Sequence, residues 1–381
     1  MLDRVNPIIK NIKKSGIRRF SEAAALNPNV VSLTIGEPEF NTDESIKAAL
    51  IKALEENKTH YPLGLGIQSL REAISRFESK RLSAYSSQEV IVTLGSTQGL
   101  AAVFMSILEA GDEVIIPEPM YISYRPMIEA IGAKVIALDT TQDDFQINDL
   151  KLKALVSPKT KAIVITSPNN PTGVIYTEES LELVKNVAIE HRLFIISDDV
   201  YDQLVYVDDL PSLRSYPELR EQLIITQSFS KPYAMTGWRI GYVLASEAIA
   251  QVIGTFHPYL VSGIPTFIQE AAIQALEMDT QWMRDEYRHR RDESMLKLKA
   301  MNIPFVKPEG AFYFFIDIQE FKMDSLAFCE KALKDYDLAM VPGRYFGEQC
   351  DHFVRLSYAV SKKDLNLGLE RLSRMVQDFR R

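Results

Sequence analysis

Four short segments carry side chains that could do chemistry together. Ser228-Phe229-Ser230-Lys231, with Arg239 shortly after, sets two hydroxyls and a permanently charged guanidinium around one amine. Hydroxyls and Arg are good phosphate ligands. The lysine is then free to act as an amine nucleophile that forms a Schiff base. Gly95-Ser96-Thr97 stands between a β-branched apolar run and a helical one, where free N–H groups at a helix start suit an anion. Ser197-Asp198-Asp199-Val200-Tyr201 closes another apolar run. Its carboxylate, three residues before a phenol, suits a cationic ring nitrogen and a neighbouring ring oxygen. Ser167-Pro168-Asn169-Asn170-Pro171-Thr172-Gly173 offers the Asn170 amide within a Pro/Gly turn.

Singly these have plainer readings: a helix cap at Ser96 or Thr97, a turn, a solvated lysine. Together they supply a phosphate cradle, a lysine, a carboxylate, a phenol and an amide. That set fits pyridoxal 5′-phosphate, which needs a Schiff-base lysine and an acidic partner for its pyridine nitrogen. Competing motifs are weaker. Gly64-Leu65-Gly66-Ile67-Gln68-Ser69 lacks the third glycine of a dinucleotide fingerprint and follows His60-Tyr61-Pro62, not a buried strand. It reads as a turn before a helix starting near Ser69. Ser228 and Lys231 also satisfy the S-x-x-K of serine acyl-hydrolases, but Ser197-Asp198-Asp199 precedes them and no K-T-G follows. The five histidines neither pair at i, i+4 nor sit beside a cysteine pair, so no metal site is expected.

The elements that must position these loops show as alternating patterns. Strand-like runs are Glu89–Leu94, Glu113–Pro117, Lys134–Leu138, Ala162–Thr166, Leu193–Ser197, Leu223–Thr226 and Gly241–Ala245. Helical spacing separates most of them, as in Thr97–Glu109 and Glu178–His191. This alternation predicts a mostly parallel sheet covered on both faces. After about Pro265 the pattern changes. Helices are expected over Thr266–Leu276 and Gln281–Met301, then strands at Ala311–Asp317, Leu338–Val341 and His352–Tyr358. Helices over Ser325–Tyr336 and from Lys362 complete a smaller α+β unit.

Length and composition bound the class. The 381 residues suggest two or three domains, and 46% hydrophobic with 25% charged residues is ordinary globular content. The charge of −8 and the absence of a basic block disfavour nucleic acid. Two cysteines, Cys329 and Cys350, fit a reducing compartment. No apolar run is long enough to span a bilayer, and Met1–Lys14 has no apolar signal-peptide centre. The expectation is a cytoplasmic protein with no membrane or nucleic-acid partner.

Ser228-Phe-Ser-Lys-Pro-Tyr-Ala-Met-Thr-Gly-Trp-Arg-Ile-Gly-Tyr242 resembles the lysine signature of class I/II aminotransferases, which have the fold type I architecture. Further matches follow the family's order over nearly the whole chain. They are Thr34-Ile-Gly-Glu-Pro38, Tyr61 with Gly66 and Leu70-Arg71, Gly95-Ser-Thr-Gln98, Pro117-Glu-Pro-Met-Tyr121, Asn169-Asn-Pro-Thr-Gly173, Ser197-Asp-Asp-Val-Tyr201, Gly310-Ala-Phe-Tyr313 and Val354-Arg-Leu-Ser357. The resemblance implies an α/β fold: a large domain (40–275) with a mostly parallel seven-stranded sheet between helices, and a smaller α+β domain (1–39 and 276–381). It implies that Lys231 holds pyridoxal phosphate and moves the substrate proton, and that Asp198 pairs with the ring nitrogen. Tyr201 and Asn170 would meet the ring oxygen, and Tyr121 would stack on the ring. Ser96, Thr97, Ser228, Ser230 and Arg239 would bind the phosphate. Arg355 would grip the substrate α-carboxylate, with Gly36 letting the N-terminal segment approach. Family members are homodimers with shared sites, so Tyr61 would reach the partner subunit's phosphate.

The implied activity is transfer of an amino group from an L-amino acid to a 2-oxo acid. Other activities on this cofactor and fold are a lyase or an inactive regulator, and the intact Lys231, Asp198 and Tyr201 speak against the regulator. Two departures bear on the substrate. Asp199 stands where many relatives have Glu and is expected to lie beside the site. Thr97 stands where aspartate-using members of this subgroup carry a lysine, which argues against aspartate as donor. Ser15-Gly-Ile-Arg-Arg-Phe20, Leu33-Thr-Ile-Gly36 and Gly310-Ala-Phe-Tyr313 resemble a branch of aromatic and N-acetyl-L,L-diaminopimelate aminotransferases. Ile17 and the Thr34–Gly36 turn, with Tyr121, Tyr233 and the Tyr259–Ser262 loop, are the expected surroundings of the substrate side chain. Large aromatic or long-chain donors with 2-oxoglutarate are expected. Arg18 or Arg19 entering from a partner chain would favour an acidic or N-acylated diamino substrate.

Overall fold

The computed structural model describes residues 1–12, 16–81 and 84–381. Ser15, which opens one of the resembling segments, lies outside the described residues. Seven strands form the central sheet: β1 (Val90–Thr93), β2 (Glu113–Glu118), β3 (Lys134–Asp139), β4 (Thr160–Thr166), β5 (Phe194–Asp198), β6 (Leu223–Ser228) and β7 (Gly241–Leu244). Their order is β1-β7-β6-β5-β4-β2-β3. Only β7 runs antiparallel to its neighbours; the other pairings are parallel.

Apart from the partly buried edge strand β3, the strands are rich in β-branched residues and buried on both faces, as a helix-covered parallel sheet requires. Successive residues alternate between two apolar layers. Ile163, Ile195 and Ile225 face the helix Glu178–His191 through Leu181 and Val184. Val164, Ile196 and Ile224 pack with Leu100, Val103 and Phe104 of the helix Gly95–Ile107.

The second sheet is antiparallel, in the order Val341–Pro342, Phe353–Ser357, Tyr313–Asp317, Phe305–Val306. Its aromatic core joins the helices Gln281–Ala300, Ser325–Tyr336 and Lys362–Phe379. Val31–Ser32 pairs in parallel with Leu338–Ala339, so the N-terminal segment is fastened to this later unit. Register puts Arg355 opposite Phe315 and beside Val341.

The fold expected from the alternating pattern is present, with local differences. The single strand expected over Leu338–Val341 is two short strands that serve different sheets. Val31–Ser32 and Phe305–Val306 are too short for alternation to reveal them. The strand carrying Asp198 extends one residue further than expected, so this carboxylate sits at the strand end itself.

Candidate active site

The carboxyl ends of β4, β5 and β6 open into a cavity of about 1280 Å³, the place where open α/β sheets gather ligands. Thr166, Asp198 and Ser228 come from the strand ends, and Ser96 and Thr97 from the first turn of the helix Gly95–Ile107. The N-terminal segment brings Ile17, Thr34 and Gly36; the second sheet brings Tyr313 and Arg355. Tyr121, Asn170, Tyr201, Ser230, Lys231 and Arg239 complete the expected residues that line it.

Lys231 donates from Nζ to the Gly36 carbonyl at 2.7 Å. Removal from bulk water lowers its pKa to about 8. About a tenth of it is therefore neutral at pH 7, far more than for an ordinary lysine, and the neutral form is what an amine nucleophile needs. Gly36 is required by close approach: a Cβ there would collide with the Tyr313 hydroxyl.

Asp198 is buried. Its Oδ2 accepts from the Tyr124 hydroxyl at 2.5 Å and its Oδ1 from Thr226 Oγ1 at 3.2 Å. Burial raises its pKa to about 6 despite these donors. A cationic partner would restore the carboxylate. Tyr201 and Tyr313 share a hydrogen bond of 2.8 Å between hydroxyls, and burial pushes both phenols upward in pKa.

Arg355 is 2% exposed. Its Nη1 donates to Asn170 Oδ1 at 2.8 Å and its Nη2 to the Thr34 carbonyl at 2.5 Å. Its Nε is buried without a partner. The guanidinium lies over the rings of Tyr313 and Phe346, 4.4 and 5.0 Å from their centroids. No carboxylate reaches ion-pair distance among the described residues. A buried cation lacking an anion is costly, and this one faces a cavity.

Elsewhere in the lining, the Ser230 N–H donates to Ser228 Oγ at 3.0 Å. Arg239 adopts a left-handed backbone (φ 53°) and donates to the Thr236 carbonyl at 2.9 Å. Gly95, at φ 72°, lets that guanidinium lie close: an added Cβ would stand 2.8 Å from Arg239 Nη2. Ser228 pairs with Gly241, which lies against the Ser96 N–H, so the Ser228 strand end, the start of the helix Gly95–Ile107 and the Arg239 guanidinium meet in one corner of the lining.

Tyr61, expected to reach the partner subunit's phosphate, is 90% exposed and does not line this chain's own cavity. Other expectations change. Tyr233 is buried against Phe229 in the sheet's core, and Tyr259 is exposed; neither reaches the cavity. The first follows the apolar face of its turn, and the second points to solvent from a helix end. Arg18 and Arg19 line the cavity of their own chain, on the helix Gly16–Ala25, so no partner is needed to bring them. Arg19 is engaged with Glu330 at 2.5 Å.

Asp199 does more than lie beside the site. It accepts from Ser197 Oγ at 2.5 Å and from Arg214 Nε at 3.0 Å. Arg214 also meets Glu78 at 2.5 Å and Asp202 at 3.7 Å, and all four side chains are buried. This cluster pins the turn that carries Asp198 and Tyr201. Sequence reasoning missed it, and it missed Tyr124 and Thr226 on Asp198. Only the three-residue spacing from Tyr121 to Tyr124 offered a hint.

The model of the family "Aminotransferase class I and II" matches residues 28–372. The chain belongs to this family. Among its relatives, the probable N-acetyl-LL-diaminopimelate aminotransferase of Bacillus subtilis is 39% identical, over 98% of this chain and 95% of that one. The aromatic-amino-acid aminotransferase 2 of Thermococcus litoralis is 36% identical, over 99% and 97%. The structure of the aspartate aminotransferase of Thermotoga maritima superposes with a TM-score of 0.93 at 37% identity, covering 98% of this chain and 100% of that one. Aminotransferases of this family use pyridoxal phosphate, and this chain is a pyridoxal-phosphate-dependent transaminase. The cavity fits that cofactor: it offers an amine of lowered pKa, a buried acid that lacks a cation, and a corner of anion donors. The unpaired Arg355 leaves a place for a second anion.

Proposed function

We propose that the cavity is the transamination site. Lys231 would hold the cofactor through its amine, Asp198 would pair with the ring nitrogen, and Tyr201 and Asn170 would meet the ring oxygen. Tyr121 would stack on the ring, and Ser96, Thr97, Ser228, Ser230 and Arg239 would bind the phosphate. Arg355, Asn170, Gly36 and Ile17 receive the substrate. The single observation that carries this reading is the buried, unpaired Arg355 guanidinium facing the same cavity as Lys231 and Asp198.

When bound, pyridoxal phosphate supplies the aldehyde that receives the amine and the ring that accepts electrons released at Cα. Arg355 orients the amino acid by its α-carboxylate, a charge-assisted fork. Lys231 Nζ takes the proton from the substrate Cα and later returns one, a role its pKa of about 8 permits. Asp198, held by Tyr124 and Thr226, would offer its carboxylate to the ring nitrogen. The Tyr313 hydroxyl, paired with that of Tyr201, packs against Gly36.

The donors are large aromatic or long-chain amino acids, with 2-oxoglutarate as acceptor. Ile17 and Ile35 line the cavity, and Thr97 offers no charge for a second carboxylate. A second reading, N-acetyl-L,L-diaminopimelate as substrate, is favoured by Arg18 on the cavity wall. Comparing kcat/KM for phenylalanine, aspartate and the N-acetylated diamino acid separates the two. A strong aspartate preference would overturn the argument from Thr97.

The active form is a homodimer with shared sites, and the chain divides into 40–275 and 1–39 with 276–381; one apolar core is built by buried residues of 40–275 alone, and the other joins the second unit to Val200, Tyr201, Leu204 and Tyr206 of the first. Exposed Tyr61 and Leu63, beside a helix that exposes Val252 and Tyr259, support a second copy packing there. Mixing inactive Lys231→Ala and Tyr61→Ala chains should restore some activity. A fully active monomer in sedimentation would contradict the dimer. The two buried free cysteines support a cytoplasmic setting, and among the described residues no helix is long and apolar enough to cross a membrane.

A further inference from the structure

Outside the cavity, a buried pair joins the Gly64 loop to the first turn of the helix Gly95–Ile107. His257, on the helix Glu247–Val261, has no exposed surface. Its Nδ1 stands 3.3 Å from the Gly64 carbonyl oxygen and its Nε2 3.2 Å from Gln98 Oε1. Gln98 Oε1 also accepts from the Leu94 N–H at 3.0 Å. The chain of contacts thus ends on the residue that precedes Gly95-Ser96-Thr97. Ser96 and Thr97 line the cavity, whereas His257 and Gln98 do not.

The pairing is not one that packing alone would produce. Both ring nitrogens face oxygens, and a neutral imidazole has only one N–H to give. Gln98 Nε2 is buried and has no partner among the described residues. If the Gln98 amide turns over, it can serve the bare ring nitrogen, but the Leu94 N–H then loses its acceptor. His257 therefore bears directly on how the Leu94–Thr97 backbone is held. Burial lowers its pKa and the Gly64 carbonyl opposes this; no charged side chain contributes.

We propose that His257 is a positioning residue for the cofactor's phosphate, acting through Gln98 to set the Leu94–Thr97 turn. The proposal rests on the reading that Ser96 and Thr97 meet that phosphate. His257 also ties this turn to the loop that carries Tyr61, so both phosphate-facing segments share one frame.

The test compares two ligands on the cofactor-free protein: pyridoxal phosphate and pyridoxal, which lacks the phosphate. Binding is read from quenching of protein fluorescence. His257→Leu should weaken pyridoxal phosphate about tenfold, the loss expected for one well-made hydrogen bond, and leave pyridoxal within about twofold. His257→Gln, whose amide can still donate to Gln98 Oε1, should recover most of the loss. Gln98→Leu, which cuts the other end of the contact chain, should reproduce it and keeps the test open should His257→Leu not fold. Equal losses for both ligands, or no loss, would overturn the proposal. Arg239→Leu distinguishes the underlying reading. If it too leaves the ratio of the two affinities unchanged, the phosphate reading fails and the proposal falls with it. If it alone changes the ratio, only the role of His257 is refuted.

Discussion

Arg355→Lys keeps a positive charge and removes the fork. In the wild type, two N–H groups already reach Asn170 Oδ1 and the Thr34 carbonyl, at 2.8 and 2.5 Å, which fixes the plane of the guanidinium. A lysine is shorter, has one head, and cannot keep both acceptors while offering two parallel bonds to a carboxylate. The substitution removes at least one charge-assisted hydrogen bond to the substrate, about 1.5–3 kcal/mol. At about 1.36 kcal/mol per decade of rate, that is a fall of roughly 10- to 150-fold in kcat/KM. Because the grip is on the α-carboxylate, the loss should be similar for every amino-acid donor. The assay is steady-state transamination with several donors, alongside titration of the bound cofactor's absorbance with an unreactive monocarboxylate. Affinity for pyridoxal phosphate should hold within about twofold. Wild-type kcat/KM in the variant, or a loss confined to one donor, would refute the assignment of Arg355.

The other predictions concern groups behind the site. The rate at which the cofactor-free protein attaches pyridoxal phosphate should rise with pH and level off above about 8, because neutral Lys231 is the nucleophile; a climb continuing through the ordinary lysine range would contradict its lowered pKa. Depressed by burial, Lys231 also makes the cofactor-free protein lose stability as pH falls from about 10 toward 8, with no further change below. Tyr124→Phe removes the 2.5 Å donor to Asp198 and should raise that carboxylate's pKa further above about 6, slowing exchange of the substrate Cα proton about tenfold or more; an unchanged exchange rate would exclude the contact from function. Arg214→Met leaves Glu78, Asp199 and Asp202 without their shared cation and should cost about 3–5 kcal/mol in denaturant unfolding, whereas a loss below about 1 kcal/mol would mean that Arg81, whose Nη2 lies 3.0 Å from Asp202, suffices.

The architecture was legible because its strands are buried on both faces. Glu113–Pro117 and Leu223–Thr226 read as apolar β-branched runs, and the helical spacing between such runs implies crossovers. The loops at the strand ends were legible for a related reason: residues such as Asp198, Asn170 and Lys231 are out of place in apolar patterns. What escaped was contact across distance. Tyr124 meets a carboxylate 74 positions away, and Arg214 meets Glu78 across 136. Nothing in local spacing encodes which side of a helix will face which strand end. Two-residue strands such as Val31–Ser32 escaped because their pairing depends on a partner far along the chain. Tyr233 misled because an aromatic near the lysine can pack into the core as readily as into the cavity.

The central claim is that one cavity joins Lys231, Asp198 and Arg355 in reversible amine transfer. Its most direct test is a half-reaction followed by the absorbance of the bound cofactor, with no acceptor present. Adding excess phenylalanine to the loaded wild type should convert the cofactor to its aminated form in a single exponential, and 2-oxoglutarate should return it. Lys231→Ala should show no catalytic turnover of this cycle. A wild type whose cofactor spectrum is unmoved by every amino acid tried, or a Lys231→Ala variant that cycles at the wild-type rate, would contradict the account.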